Sequence, residues 1–176
     1  MTKEILVLGG ENVGKSLMIR RIKEIVCNPD RWDCEQSNEE TLPTVGVELH
    51  TVSFGQDKQY SLREIGSSLS SKWESYFCEC DHIIFLIDVA DFGSVASSIV
   101  LFHELLAHEE TLNGKKIALG LNKLDIVDSY TFATVYNLMQ VDDLTEKGID
   151  ILQGSCMDGS LCRKAIEWLK EKINDS

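Results

Sequence analysis

One stretch near the N-terminus constrains this chain more than any other. Ile5-Leu6-Val7-Leu8 is a continuous apolar run, closed by Gly9-Gly10. Glu11-Asn12-Val13-Gly14-Lys15-Ser16 follows, and Leu17, Ile19, Ile22, Ile25 and Val26 then recur at helical spacing. A short apolar run bounded by glycine reads as a buried strand, and the 3.6-residue period reads as an amphipathic helix. Between them, the order glycine, four residues, Gly-Lys-Ser suits a backbone wrapped round a phosphate. Glycine lets the main chain approach closely, and the first N–H groups of the helix point at the negative charge. Lys15 adds a point charge and the Ser16 hydroxyl a ligand for Mg²⁺. A chance glycine-rich turn is the competing reading, and the strand–loop–helix setting argues against it.

The rest of the chain repeats the alternation. Strands are expected at Val45 to Phe54, Lys58 to Ile65, Ile83 to Val89, Lys116 to Leu121 and Ile149 to Gln153. Helices are expected at Trp73 to Cys80, Ser94 to Glu110, Tyr130 to Val141 and Leu161 to Ile173, with Pro29 to Glu40 a polar loop. This order predicts an α/β fold: a six-stranded, mostly parallel sheet with helices on both faces. The tight turn at Gly55-Gln56-Asp57 makes one edge strand antiparallel. The 176 residues fit one domain, 1–176.

A phosphate loop does not select a base. Asn122-Lys123-Leu124-Asp125 follows a buried strand. A carboxylate at Asp125 can accept from N1 and N2 of guanine, a donor pair adenine lacks. Asn122 can tie the base to the phosphate loop, and the Lys123 stem can cover the ring. An ordinary polar turn is the alternative for this tetrapeptide alone. Gly154-Ser155-Cys156-Met157 occupies the place of a second base-contacting loop, through a backbone N–H. Guanine nucleotide, GTP or GDP with Mg²⁺, is therefore the expected ligand, and a P-loop ATPase or kinase the class argued against.

Further segments carry a resemblance: Leu42-Pro43-Thr44-Val45-Gly46, Trp73-x-x-Tyr76-Phe77, Ile83-Ile84-Phe85-Leu86-Ile87-Asp88 and Glu167-Trp168-Leu169. With the loops above, the chain resembles the ADP-ribosylation-factor-like small GTPases over essentially its whole length. Within that family it is similar to a divergent branch that has Arg-Glu-hydrophobic-Gly where relatives have Trp-Asp-Val-Gly. The resemblance implies the small-GTPase form of the P-loop fold. It implies nucleotide contacts from Gly9, Glu11, Asn12, Val13, Gly14, Lys15, Ser16, Leu17, Thr44, Gly66, Ser67, Asn122, Lys123, Asp125, Ser155, Cys156 and Met157. Mg²⁺ contacts are implied for Ser16, Thr44 and, through a water, Glu64; catalytic positions are Lys15, Thr44, Ser67 and Ser68. Thr44 would sense the γ-phosphate, on a segment that the ligand orders.

The third motif departs from the family pattern. Glu64-Ile65-Gly66-Ser67-Ser68 stands where relatives have Asp-x-x-Gly-Gln. Glu64 keeps the carboxylate on a longer stem, Ser67 loses the freedom of glycine, and Ser68 is too short to orient the attacking water as glutamine does. Slow intrinsic hydrolysis is the expectation, with a partner supplying the missing groups as a second possibility. Ser67-Ser68 also suits a helix N-cap.

Net charge is −12, which disfavours nucleic acid and anionic lipid as partners. Lys15, Arg20, Arg21 and Lys23 cluster; a solvated helix face is preferred over a membrane patch. Position 2 is Thr and the last four residues are Ile-Asn-Asp-Ser, so lipidation signals are not expected, nor a membrane anchor before the first strand. The six cysteines lack zinc-site spacing and are expected as free thiols, and His50, His82, His103 and His108 as surface residues. Trp73, Tyr76 and Phe77 read as core, with an effector patch the alternative. A cytoplasmic monomer is expected, recruited to membranes or cilia through an effector, with an exchange factor and an activating protein as further partners.

Overall fold

The computed structural model describes residues 3–28, 44, 46–53 and 59–174. The polar loop expected at Pro29 to Glu40, Leu42-Pro43, Val45 and the turn at Gly55-Gln56-Asp57 lie outside them. The strands are β1 (Lys3–Gly9), β2 (Val47–Ser53), β3 (Gln59–Ile65), β4 (His82–Asp88), β5 (Lys116–Asn122) and β6 (Asp150–Gln153). The helices are α1 (Lys15–Cys27), α2 (Glu74–Phe77), α3 (Phe92–Leu106), α4 (Glu109–Leu112), α5 (Ser129–Leu138), α6 (Val141–Glu146) and α7 (Ser160–Asn174).

The sheet order is β2-β3-β1-β4-β5-β6, and every neighbouring pair is parallel except β2 and β3. The expected topology, with one antiparallel edge strand, is the one observed. Burial explains the sequence pattern: all seven residues of central β4 are buried, whereas edge strand β2 is mostly exposed. A parallel strand covered on both faces must be apolar almost throughout.

Alternate residues of β1 and β4 feed two cores. Ile5, Val7, Ile84 and Leu86 face α1 and α7, meeting Met18, Ile22, Leu161 and Leu169. Leu6, Leu8, Ile83, Phe85 and Ile87 face the opposite helices, meeting Phe102, Val135 and Leu144. Each such aliphatic side chain, fully buried, contributes about 1.5–3 kcal/mol, which holds the strand ends in register where the loops emerge.

Several helix bounds differ from the sequence expectation. The helix expected from Trp73 is a single turn, α2, preceded by a 3-10 segment at Ser67–Lys72. Gly66 occupies the cap position of that segment and no side-chain cap is made, so the Ser67-Ser68 cap reading does not hold. The helix expected at Tyr130 to Val141 breaks at Gln140, whose φ is 50°, and resumes as α6. At α3, Asp91 accepts from the Gly93 N–H and starts the helix at Phe92, two residues early.

The aromatic trio mostly belongs to the core. Trp73 and Phe77 are buried, and Trp73 meets Phe85 edge-on. Tyr76 is half-buried beneath the Arg63 guanidinium, 5.4 Å from the ring centroid. Arg63 is paired with Glu4 at 2.8 Å and Glu79 at 3.0 Å. The flat guanidinium is thus held by stacking on Tyr76 and by pairing with two carboxylates.

Two surface expectations fail. Arg21 is fully buried and bonded to Glu24 at 2.9 Å, so the basic cluster is not one solvated face. Of the four histidines only His103 is exposed, while His82 is buried against Trp168. Cys27, Cys78, Cys80, Cys156 and Cys162 are free thiols; Cys34 lies outside the described residues.

Candidate nucleotide-binding site

The loops that leave the C-terminal ends of β1, β3, β4, β5 and β6 meet above one edge of the sheet, where ligands bind in open α/β folds. The first is the 9–16 loop. Gly9 has φ 140° and Gly14 φ 100°, and a Cβ on Gly14 would run into the Asn122 side chain. Glycine is required there both for the backbone angle and for the space. α1 begins at once with no acidic residue in its first turn, so nothing within the helix neutralises its positive end. Glu11 and Asn12 are exposed at the loop tip, and Val13 is buried beneath it.

Lys15 is buried, and its Nζ donates to the carbonyls of Gly10 at 2.6 Å and Gly9 at 3.2 Å. Burial pushes its pKa down, while Glu64 and Glu11 oppose the shift. A desolvated ammonium held over the loop by two carbonyls is poised to exchange them for an anion, which would also compensate its charge.

Three distant residues converge beside it. Ser16 Oγ donates to Glu64 Oε1 at 2.7 Å, and Thr44 Oγ1 donates to the same oxygen at 2.8 Å. The two hydroxyls are 3.1 Å apart. Glu64 is buried, and its Oε2 has no hydrogen-bond partner among the described residues. Two hydroxyls and a carboxylate with spare acceptor capacity form an all-oxygen donor set, the chemistry that a hard divalent cation such as Mg²⁺ prefers. Gly66 secures this arrangement: its N–H donates to the Gly46 carbonyl at 2.9 Å, and a Cβ would collide with the Thr44 carbonyl.

Ser67 and Ser68 open the 3-10 segment next to Gly66; Ser67 is half-buried and Ser68 exposed. Leu17, half-buried, packs on the core from α1.

On the base side, Asn122 is buried and works in two directions. Its Nδ2 donates to the Val13 carbonyl at 2.7 Å, and its Oδ1 accepts from the Cys156 N–H at 2.9 Å. One amide therefore joins the 9–16 loop to the 154–157 loop. Lys123 has φ 69° and its Nζ pairs with Asp88 at 2.6 Å. Asp125 is exposed in the following 3-10 turn.

In the last loop, where a backbone N–H is expected to meet the base, three N–H groups have partners within the protein. The Ser155 N–H donates to Ser160 Oγ, the Cys156 N–H to Asn122, and the Met157 N–H to Ser155 Oγ, each at 2.9 Å. All three amides are spent inside the protein, because small hydroxylated and amide side chains surround a buried turn.

Asp88 was not singled out by sequence reasoning. Besides Lys123, it accepts from the Ala90 N–H at 2.9 Å and the Asp91 N–H at 3.3 Å. Its only signal was being the sole charge in an otherwise apolar strand.

The sheet order, the glycine-rich turn into α1 and the paired base-side loops define a P-loop nucleotide-binding protein of small-GTPase architecture. The model of the ADP-ribosylation factor family matches residues 1–173, and the chain belongs to that family. It is 25% identical over 175 residues to human (Homo sapiens) ADP-ribosylation factor-like protein 16, covering 97% of this chain and 87% of that protein. To ADP-ribosylation factor-like protein 1 of Caenorhabditis elegans it is 27% identical over 173 residues, covering 96% and 88%. Among solved structures, it is similar to the Arl6 BBS3 small GTPase from Trypanosoma brucei with the bound nucleotide analogue GppNp. The TM-score is 0.78 with 20% identity, covering 99% of each chain, a likeness that carries the fold.

Proposed function

We propose that this protein is a guanine-nucleotide switch that binds GTP with Mg²⁺ and hydrolyses it slowly unaided. The carrying observation is the meeting of Ser16, Thr44 and Glu64 around one carboxylate oxygen, beside a segment that opens with Ser67-Ser68.

Ser16, Thr44 and Glu64 are the groups that would hold Mg²⁺, which when bound neutralises charge on the β- and γ-phosphates. Lys15 and the start of α1 attract those phosphates. Thr44 reports on the ligand, because its segment is held at this point by two hydroxyl contacts that a bound phosphate and cation would replace or strengthen. Asp125 accepts from guanine, with Lys123 laid across the ring by its pairing with Asp88. Ser68 lacks the reach to align a water against the γ-phosphate, so the chemical step is left to thermal encounter or to a partner.

An effector then recognises the GTP-ordered surface, and an exchange factor and an activating protein set the timing. A role in intracellular membrane or ciliary traffic, exercised from the cytoplasm, rests on the family resemblance alone. The replacement at Ser68 also favours a second reading, a scaffold that keeps one nucleotide and does not hydrolyse it.

Single-turnover hydrolysis of bound GTP, with and without Ser68→Gln, tests the proposal. The expected result is a slow wild type and an acceleration of at least about tenfold in the variant. A wild-type rate equal to glutamine-bearing relatives overturns slow hydrolysis. GTP that is never hydrolysed in either form supports the scaffold, and displacement by ATP as readily as by GTP overturns guanine selectivity.

A further inference from the structure

The 67–77 segment and α3 enclose a groove of about 350 Å³ that none of the phosphate or base loops lines. Trp73 and Phe77 form one apolar wall, and Leu101 and Leu105 of α3 form the other. The two aromatics are therefore core residues that also face a groove. Trp73 is 3% exposed, and its Nε1 has no hydrogen-bond acceptor among the described residues. Trp168, by contrast, donates its indole N–H to Asp150 at 2.8 Å. A buried donor without a partner is rare and calls for a physical reason.

The rim supplies the second observation. Glu74 and Glu104 are exposed at its two sides. Among the described residues Glu74 meets only the His108 ring, at 3.3 Å, and Glu104 has no ion pair. Surface carboxylates elsewhere find cations within the chain, as Glu79 does with Arg63 and Asp150 with Lys172. We propose that this groove docks a basic amphipathic helix of a partner protein. Its apolar stripe would lie against Trp73, Phe77 and α3, and its Lys or Arg residues against Glu74 and Glu104. The walls are helical or 3-10, so an extended segment finds no sheet edge there and a helix face is the shape that fits. The net charge of −12 favours a cationic partner and disfavours a second copy of the chain. None of the lining residues belongs to the nucleotide loops, so loss of docking and loss of nucleotide binding are separable.

The test pans a phage-displayed random peptide library on the full chain with its retained nucleotide, after depletion on Ala107→Trp. That variant plugs the groove from an exposed position on its wall. Enriched peptides should place apolar residues at helical spacing and carry Lys or Arg beside them. A synthetic copy of the strongest should bind Ala107→Trp at least about tenfold more weakly than wild type. Glu104→Lys should also weaken it and reduce its sensitivity to salt. Both variants should release the retained nucleotide at the wild-type rate. In nitrogen-edited NMR spectra the peptide should shift the Trp73 indole N–H, assigned with Trp73→Phe, and leave that of Trp168 in place. No enrichment over the depleting variant overturns the docking site, as do acidic or uncharged winners or an unmoved Trp73 signal. Self-association of the wild type that Ala107→Trp abolishes would give the groove to a second copy and overturn the proposal equally.

Discussion

The side-chain amide of Asn122 donates to the backbone carbonyl of Val13 at 2.7 Å, a bond that closes 109 residues of chain. Through its other atom the same amide holds the Cys156 N–H. Replacing it with alanine leaves a buried carbonyl and a buried N–H without partners, each costing about 1–3 kcal/mol. Asn122→Ala should therefore destabilise the protein by about 2–4 kcal/mol, read as a lower urea midpoint with an unchanged slope. Nucleotide dissociation should accelerate at the same time, since both loops come loose together.

Asp88 holds Lys123 at 2.6 Å while also accepting from two N–H groups at the start of the next loop. Asp88→Asn keeps an acceptor for the amides and removes the charge. The expected outcome is faster guanine-nucleotide release, by about tenfold, with at most about 1–2 kcal/mol lost in stability. Stopped-flow release of a fluorescent GDP separates this from general unfolding. An unchanged rate would mean that Lys123 finds its position without the ion pair.

At Gly66 a methyl group would collide with the Thr44 carbonyl. Gly66→Ala should push Thr44 away from Ser16 and Glu64 while leaving the 9–16 loop intact. GTP retention should lose its dependence on Mg²⁺, and GDP retention should change little. Dissociation rates measured with Mg²⁺ and with a chelator check this directly.

His82 is buried, and desolvation together with Lys3 and Lys116 lowers its pKa below 6.5, against an opposing pull from Asp81. The unfolded chain then takes up a proton at a higher pH than the folded one. Folding stability is thus unaffected by this residue well above pH 6.5 and falls as pH drops below it. His82→Phe keeps the ring against Trp168 and should flatten that decline. Urea midpoints at neutral and mildly acidic pH, compared between the two proteins, measure the difference.

Much of this was legible in the sequence because the signals are local. A strand must be apolar when both faces are covered, so Ile83 to Ile87 announced a central strand. The Gly14-Lys15-Ser16 turn needs backbone freedom and a helix start at fixed spacing, and both are written in adjacent residues. The type and pairing sense of the strands followed from such patterns, whereas their order across the sheet did not. Helix ends did not, because Gln140 adopts a left-handed conformation that no neighbouring residue type predicts, and Asp91 extends α3 by capping it.

Tertiary structure alone decided what depends on distance through space. Asp88 and Lys123 are far apart in the chain, as are Ser16, Thr44 and Glu64, and only the parallel sheet brings their loops together. Arg21 and His82 looked like surface residues because charge and polarity suggest water, yet packing buried both. Only the fold shows which partners the Ser155, Cys156 and Met157 amides take: the Ser160 and Ser155 hydroxyls and the Asn122 side chain. Local sequence encodes which groups are present and what backbone they favour, and the fold determines which of them meet, since contact energies act between neighbours in space.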